Sequence, residues 1–251
     1  MLDRTRKSPP PPAQIGWAYF LDVDGTLLDI AETPHGIHVD AGLLDLIGRL
    51  HRASDGAVAL ISGRALSDLD QRLGMLRLPM AGQHGLERRD VGGRLWLHAP
   101  PPEAKCALKA ALAPVLARHP ALLLEDKGLT LALHYRRAPH LAAYAHRLMA
   151  QLAAGAGGGL EVQKGKRVVE LKPGGIDKGS AIAEYLTEPP FRGRRPVFIG
   201  DDANDEHGFA EINRVDGISI KVGPGRSCGR YRLANVAAVR RWLASALTET
   251  T

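Results

Sequence analysis

Cysteine is scarce in this chain: Cys106 and Cys228 are the two among 251 residues. They stand far apart and outside any metal-ligand spacing, which excludes a disulfide framework and a cysteine-based metal centre and fits free thiols in a reducing cytoplasm. Aromatic residues make up 5% and nowhere interleave with basic ones in the pattern that stacks bases. The formal charge of +6 therefore reads as a solvated surface with a mild preference for anionic ligands, and no nucleic-acid partner is expected. The opening stretch offers no long apolar run either. Met1 to Gln14 starts with charges and passes into Pro9 to Pro12, so neither a secretory signal nor a membrane span is expected, and residues 1–14 read as a disordered or extended lead-in.

Apolar residues form 45% of the chain and charged residues 24%, the balance of a folded globular protein with room for one large domain or a core and an insertion. Trp17 to Val23 is a short apolar run ending in an acidic turn, as a strand buried on both faces of a parallel sheet requires. The same grammar returns in Ala57 to Ile61, which runs into Ser62-Gly63-Arg64, and in Pro196 to Ile199, which runs into Gly200-Asp201-Asp202. Leu43, Ile47 and Leu50, then Leu66, Leu69 and Leu73, each line one face of a helix. Strands alternating with helices predict an α/β fold with a parallel sheet, whose ligands bind outside the carboxyl ends of the strands. All three polar clusters fall at such ends.

From about Pro101 to Leu171 the pattern changes. Glu103 to Arg118 and Leu141 to Leu152 read as helices. Ala121 to Asp126 with Leu129 to Tyr135 reads as a hairpin around Lys127-Gly128. Gly155 to Gly159 reads as a connector, followed by a second hairpin, Leu160 to Gln163 with Arg167 to Leu171, turning through Gly165. This order predicts a separate α+β layer with helices on one face of an antiparallel sheet.

Asp22 and Asp24 stand two residues apart at a strand end, where alternation points both side chains the same way. One carboxylate can attack phosphorus while the other protonates the leaving oxygen and then activates water; an Asp-rich turn is the structural alternative. Asp201 and Asp202 supply hard oxygens of the kind Mg²⁺ takes, or else cap a helix. Ser62 and Gly63 offer a hydroxyl and a backbone N–H to a phosphate oxygen. Lys178 opens a helix, where the macrodipole disfavours a cation, and so suggests a task such as pairing with Asp22.

Asp22-x-Asp24-Gly25-Thr26, Ser62, Lys178-Gly179 and Gly200-Asp201-Asp202 together resemble the four motifs of haloacid dehalogenase superfamily phosphatases. The resemblance implies a Rossmann-like core over residues 15–100 and 172–251 with a C2-type cap over 101–171. It also implies Asp22 as nucleophile, Asp24 as general acid/base, Ser62 and Lys178 on the phosphate, and a magnesium site of Asp22, Asp24, Asp201 and Asp202. Ser62-Gly63-Arg64, Gly82 to Glu87, Glu125 to Gly128, His134-Tyr135-Arg136, Glu170 and Gly200 to Glu206 are further similar to trehalose-6-phosphate phosphatases. That likeness implies a sugar-phosphate substrate bound by Gly63, Arg64, His84, Glu125, Lys127 and Glu170, in a cytoplasmic monomer. Asn204 departs from it, standing where these phosphatases usually carry Thr. Related phosphatases of sucrose phosphate or mannosyl-phosphoglycerate are the alternative.

Overall fold

Tyr19 and Leu21 of the first strand, β1 (Ala18–Leu21), enter one apolar cluster while Ala18 and Phe20 enter another, because successive strand side chains point to opposite faces. A strand buried on both faces needs cover on both. One cover is α1 (Ala41–Ala53), whose Leu43, Ile47 and Leu50 point inward; Asp40 accepts from the Leu43 N–H to cap it. After β2 (Val58–Ile61), α2 (Leu66–Leu73) adds Leu66, Leu69 and Leu73 to the same cluster. Strands β3 (Met80–Gly82), β4 (Glu87–Arg89) and β5 (Leu95–Leu97) run to one edge of the sheet. The computed structural model describes residues 7–29, 39–99, 102–156, 159–165 and 167–248.

The chain divides into two units, Met1–Trp96 with Ile176–Thr251, and Leu97–Gly175 between them in sequence. The second contains α3 (Pro102–Arg118), β6 (Leu123–Asp126), β7 (Leu131–His134), α4 (Ala142–Gly155), β8 (Leu160–Gly165) and β9 (Val168–Pro173). Its strands form an antiparallel sheet in the order β6-β7-β9-β8. Leu131, Leu133, Val169 and Leu171 share a core with Leu108 and Leu112 of α3 and Ala145 and Met149 of α4, so both helices cover one face. This unit is wider than residues 101–171, because β9 continues through Lys172 to Pro173, which pairs with Leu160. Parts of the expected connector and of the turn after Gly165 lie outside the described residues.

The first unit resumes with α5 (Lys178–Thr187), β10 (Pro196–Gly200), α6 (Asp205–Arg214), β11 (Ile218–Val222), β12 (Tyr231–Leu233) and α7 (Val236–Ser245). The sheet order is β12-β11-β10-β1-β2-β3-β4-β5, parallel from β12 to β3. Ala181, Ile182 and Tyr185 of α5 and Phe209 and Ile212 of α6 cover the face opposite α1, α2 and α7. The result is a doubly wound sheet in which β10, β1 and β2 lie side by side, so the loops after them adjoin.

Of the two readings of the lead-in, disordered or extended, residues 7–14 favour the second. Residues 7–14 form neither helix nor strand, yet Ala13 is fully buried, the Trp242 indole N–H donates to the Pro11 carbonyl at 2.8 Å and the Tyr19 hydroxyl donates to the Gln14 carbonyl at 2.7 Å. Proline presets an extended backbone that needs no ladder partners, and these contacts hold it. Residues 1–6 lie outside the described residues.

Candidate active site

Asp22 follows β1 directly, and its N–H donates to the Ile199 carbonyl of β10. Its side chain is buried, and the Lys178 ammonium donates to it at 2.8 Å. Lys178 is itself buried at the first position of α5, whose Asp177–Ser180 capping box fixes that end. The same ammonium donates to Asp205 at 2.5 Å. Burial alone would lower the Lys178 pKa, but the charges of Asp22 and Asp205 outweigh it and raise it, so the cation is kept. A charge this deep persists only with such partners.

Ligand oxygens of Asp22, Asp201 and Asp205 lie within 4.8 Å of one another. Burial pushes Asp22 up to about 6 against the pull of Lys178. Burial and then Asp205 push Asp201 up to about 6, and burial and then Asp22 push Asp205 up to about 7. The Asp201 carboxylate lies over Gly25, where a Cβ would come 2.2 Å from a carboxylate oxygen; with φ at +81°, this position takes glycine for both reasons. Hard oxygens crowded together, each paying for its charge, fit a divalent cation.

Of the expected set, Asp24 and Asp202 stand outside this trio and Asp205 joins it. Asp202 accepts from the Asn204 side-chain amide at 3.0 Å and from the Asn204 and Asp205 N–H groups at 2.8 and 3.2 Å. Burial would raise its pKa, but Lys178 and the Asn204 hydrogen bonds hold it low. Asp24 meets Arg64 instead: the guanidinium Nε donates to Oδ2 at 2.6 Å and Nη2 to Oδ1 at 2.9 Å. Asp205 is the residue that sequence reasoning left without a role. It is fully buried at the start of α6 and accepts from the Asp201 and Asp202 N–H groups at 2.7 and 2.9 Å, tying the acidic loop to Lys178. Its mark in the sequence is a third aspartate following Asp201-Asp202 at helical spacing. Lys221 was also missed. Buried in β11, its ammonium donates to the backbone carbonyls of Asp201 and Val222.

Ser62 follows β2, and its hydroxyl oxygen accepts from the Arg64 N–H at 3.1 Å. The helix that follows, α2, begins at Leu66, whose N–H donates to Glu87. His84 donates its N–H to the Ser62 carbonyl at 2.9 Å, and its ring packs where a Gly63 Cβ would sit, 2.6 Å away. Gln83 and His84 hold φ at 46° and 60°, a left-handed pair that non-glycine residues seldom adopt. Ser62, Gly63, Arg64 and His84 thus form one group at adjoining strand ends.

In the second unit, the face opposite the helices carries Glu125, Ala132, Glu170 and Gln163 in one register row across the four strands. The Glu125 carboxylate meets His134 Nε2 at 2.7 Å. The Thr130 hydroxyl donates to Glu170, whose other oxygen lies 3.5 Å from the Lys127 ammonium. Glu125, Lys127 and Glu170 therefore share this polar face.

The doubly wound sheet, with carboxylates, an ammonium and a serine gathered beyond its strand ends, shares its fold with a solved haloacid dehalogenase-like hydrolase of Bacteroides thetaiotaomicron, at a TM-score of 0.64 and 16% identity, covering 90% of this chain and 97% of that one. The profile of the trehalose-phosphatase family matches residues 20–236, and the chain belongs to that family. It is 43% identical over 234 residues to the trehalose-6-phosphate phosphatase of Escherichia coli K12, covering 90% of this chain and 85% of that one. Over 208 residues it is 44% identical to a probable trehalose-phosphate phosphatase of Sinorhizobium fredii, covering 83% and 78%. A solved trehalose-6-phosphate phosphatase of Aspergillus fumigatus shares the fold with a TM-score of 0.74 at 24% identity, covering 92% of this chain and 93% of that one.

Proposed function

We propose that this protein hydrolyses trehalose 6-phosphate to trehalose and phosphate, with Mg²⁺ as its cation, as a cytoplasmic monomer. The observation that carries the reading is the buried Asp22 carboxylate held by Lys178 beside Asp201 and Asp205. An Asp22 oxygen forms a bond to phosphorus as the bond to the sugar oxygen breaks, and Asp24 gives that oxygen its proton. Water then attacks the aspartyl phosphate, Asp24 takes the water's proton, and the bond to Asp22 breaks to release phosphate. Lys178 and Ser62 hold phosphoryl oxygens and oppose the charge that builds on them. A magnesium ion on Asp22 and Asp201, with Asp205 behind them, would supply further neutralisation of phosphoryl charge.

Glu125, Lys127 and Glu170, on the polar face of the inserted unit, read as the groups that select the disaccharide, since sugar hydroxyls donate to carboxylates and accept from an ammonium. On this reading the insertion is the cap. The test is phosphate release from trehalose 6-phosphate beside sucrose 6-phosphate and glucose 6-phosphate, with and without magnesium. Rapid release from trehalose 6-phosphate alone, lost with chelator, is expected. Preference for either other sugar would refute the substrate, and full activity after exhaustive chelation would refute the cation.

A further inference from the structure

Among the described residues, each nitrogen of the Arg64 guanidinium makes a charge-assisted contact with a carboxylate. Nε and Nη2 take the two oxygens of Asp24 at 2.6 and 2.9 Å, and Nη1 takes Asp68 Oδ2 at 2.7 Å. Asp68, one turn along on α2, accepts from Arg72 Nε with its other oxygen at 3.1 Å. The four groups form an alternating line anchored on α2, whose two arginines are its better covered members, with 15% of the Arg64 side chain exposed and 17% of Arg72 against 33% for Asp24. A substrate-binding arginine would turn its fork toward open space. This one is turned onto the residue read above as the acid and base.

We propose that Arg64 is a positioning residue for Asp24, with Asp68 setting the guanidinium, rather than a ligand of the sugar phosphate. The proposal rests on Asp24 acting as general acid and base. A carboxylate on a free side chain turns about two bonds, whereas proton transfer needs one oxygen aimed at the bridging atom. A planar fork that bonds each oxygen once fixes the plane of the carboxylate and leaves each oxygen a further lone pair for the proton. An ammonium matches the charge but not the plane. The seat is set by the backbone: the Arg64 N–H donates to the Ser62 hydroxyl oxygen, so the phosphate-facing loop and the clamp share one short segment.

The experiment is steady-state phosphate release from trehalose 6-phosphate by the full chain with magnesium, for Arg64→Ala, Arg64→Lys and Asp68→Asn, each alone and in an Asp24→Asn background. Misplacing a group that contributes about 100-fold or more should lower kcat for Arg64→Ala by roughly 10- to 100-fold. KM should hold within about twofold, because an interaction made only in the transition state leaves ground-state binding alone. Arg64→Lys should recover part of that loss, and Asp68→Asn should show a smaller fall of the same kind. In the Asp24→Asn background all three should add nothing further, since residues acting through one group are not additive. Circular dichroism melts check folding; if Arg64→Ala fails to fold, the other two variants carry the test. A rise in KM at constant kcat, or a loss that persists undiminished without Asp24, would overturn the proposal and return Arg64 to the substrate. Unchanged kcat in all three variants would overturn it as well. Should Asp24→Asn itself retain wild-type turnover, the acid/base reading fails first, and that outcome is visible before any Arg64 variant is made.

Discussion

Asp22 is costly to keep charged, and that cost predicts how its loss behaves. Asp22→Asn preserves shape but removes an anionic nucleophile, so turnover on trehalose 6-phosphate should fall by more than about 1,000-fold. Lys178 keeps Asp205 as a partner at 2.5 Å, so the variant should fold with a melting temperature at or above that of wild type under chelating conditions. Activity within tenfold of wild type, or a protein that no longer folds, would count against the assignment. The residues at strand ends were legible from sequence because an apolar run that stops abruptly at Asp or Ser marks a loop over the sheet edge. The part of Asp205 was not, nor was the pairing of Arg64, placed on the substrate by resemblance, with Asp24. Asp205 meets Lys178 and Arg64 meets Asp24, and partners so distant along the chain leave no local pattern.

Short elements carry more of this molecule than their composition suggests. For the stretch 7–14 proline leaves disordered and extended readings open, and a tertiary partner decides between them: Trp242 and Tyr19 each donate to its carbonyls and Ala13 is enclosed. Deleting residues 1–14 removes these two hydrogen bonds, at about 1 kcal/mol each. At about 2–4 °C per kcal/mol for a chain of this size, the melting temperature should drop by at least several degrees. An unchanged melt would show that the segment merely rests on the core. The helices and strands that were read, β1, β2, β10, α1, α2 and those of the inserted unit, were legible because periods of 3.6 and 2 survive in Leu43-Ile47-Leu50 and in Leu131-Leu133, whereas the short β3, β4, β5 and β12, with β11 and α7, were not read. In the inserted sheet that alternation also sorts function from packing, with Leu131 and Leu133 toward the helices and Glu125 and Glu170 on the other side. Replacing Glu125, Lys127 or Glu170 with Ala should lower kcat/KM for trehalose 6-phosphate by about tenfold or more, each lost hydrogen bond to a charged group being about 1.5–3 kcal/mol. The small substrate p-nitrophenyl phosphate should be hydrolysed nearly as before. Equal losses on both substrates would defeat the sorting.

For the whole molecule, the acidic cluster links stability to pH and to cation, with a sign opposite to that of ordinary ion-paired carboxylates. Asp22 and Asp201 are raised to about 6 and Asp205 to about 7, each from 3.8. A folded-state pKa above the unfolded one means that the native state binds more protons between the two values, so stability decreases as pH rises through that window. The contribution is full below about pH 4 and gone once the pH passes about 7. Carboxylates that folding holds low, such as Asp40 beside Arg240, act the other way, but they begin to matter only near and below their ordinary range. Between pH 5 and 8 the cluster should dominate, and with chelator present the melting temperature should rise as pH is lowered from 8 toward 5. A divalent cation bound there would do the work of those protons. Saturating magnesium should therefore raise the melting temperature most at pH 8 and flatten the slope, by linkage of binding to the native state. Asp201→Asn should flatten the slope in chelator and reduce the response to magnesium together, since one carboxylate serves both. The measurement is a set of thermal melts over this pH range with chelator or magnesium, for wild type and Asp201→Asn. A chelated wild type whose melting temperature falls on acidification from pH 8 to 6, or whose slope magnesium leaves intact, would rule out the cluster as the cation site.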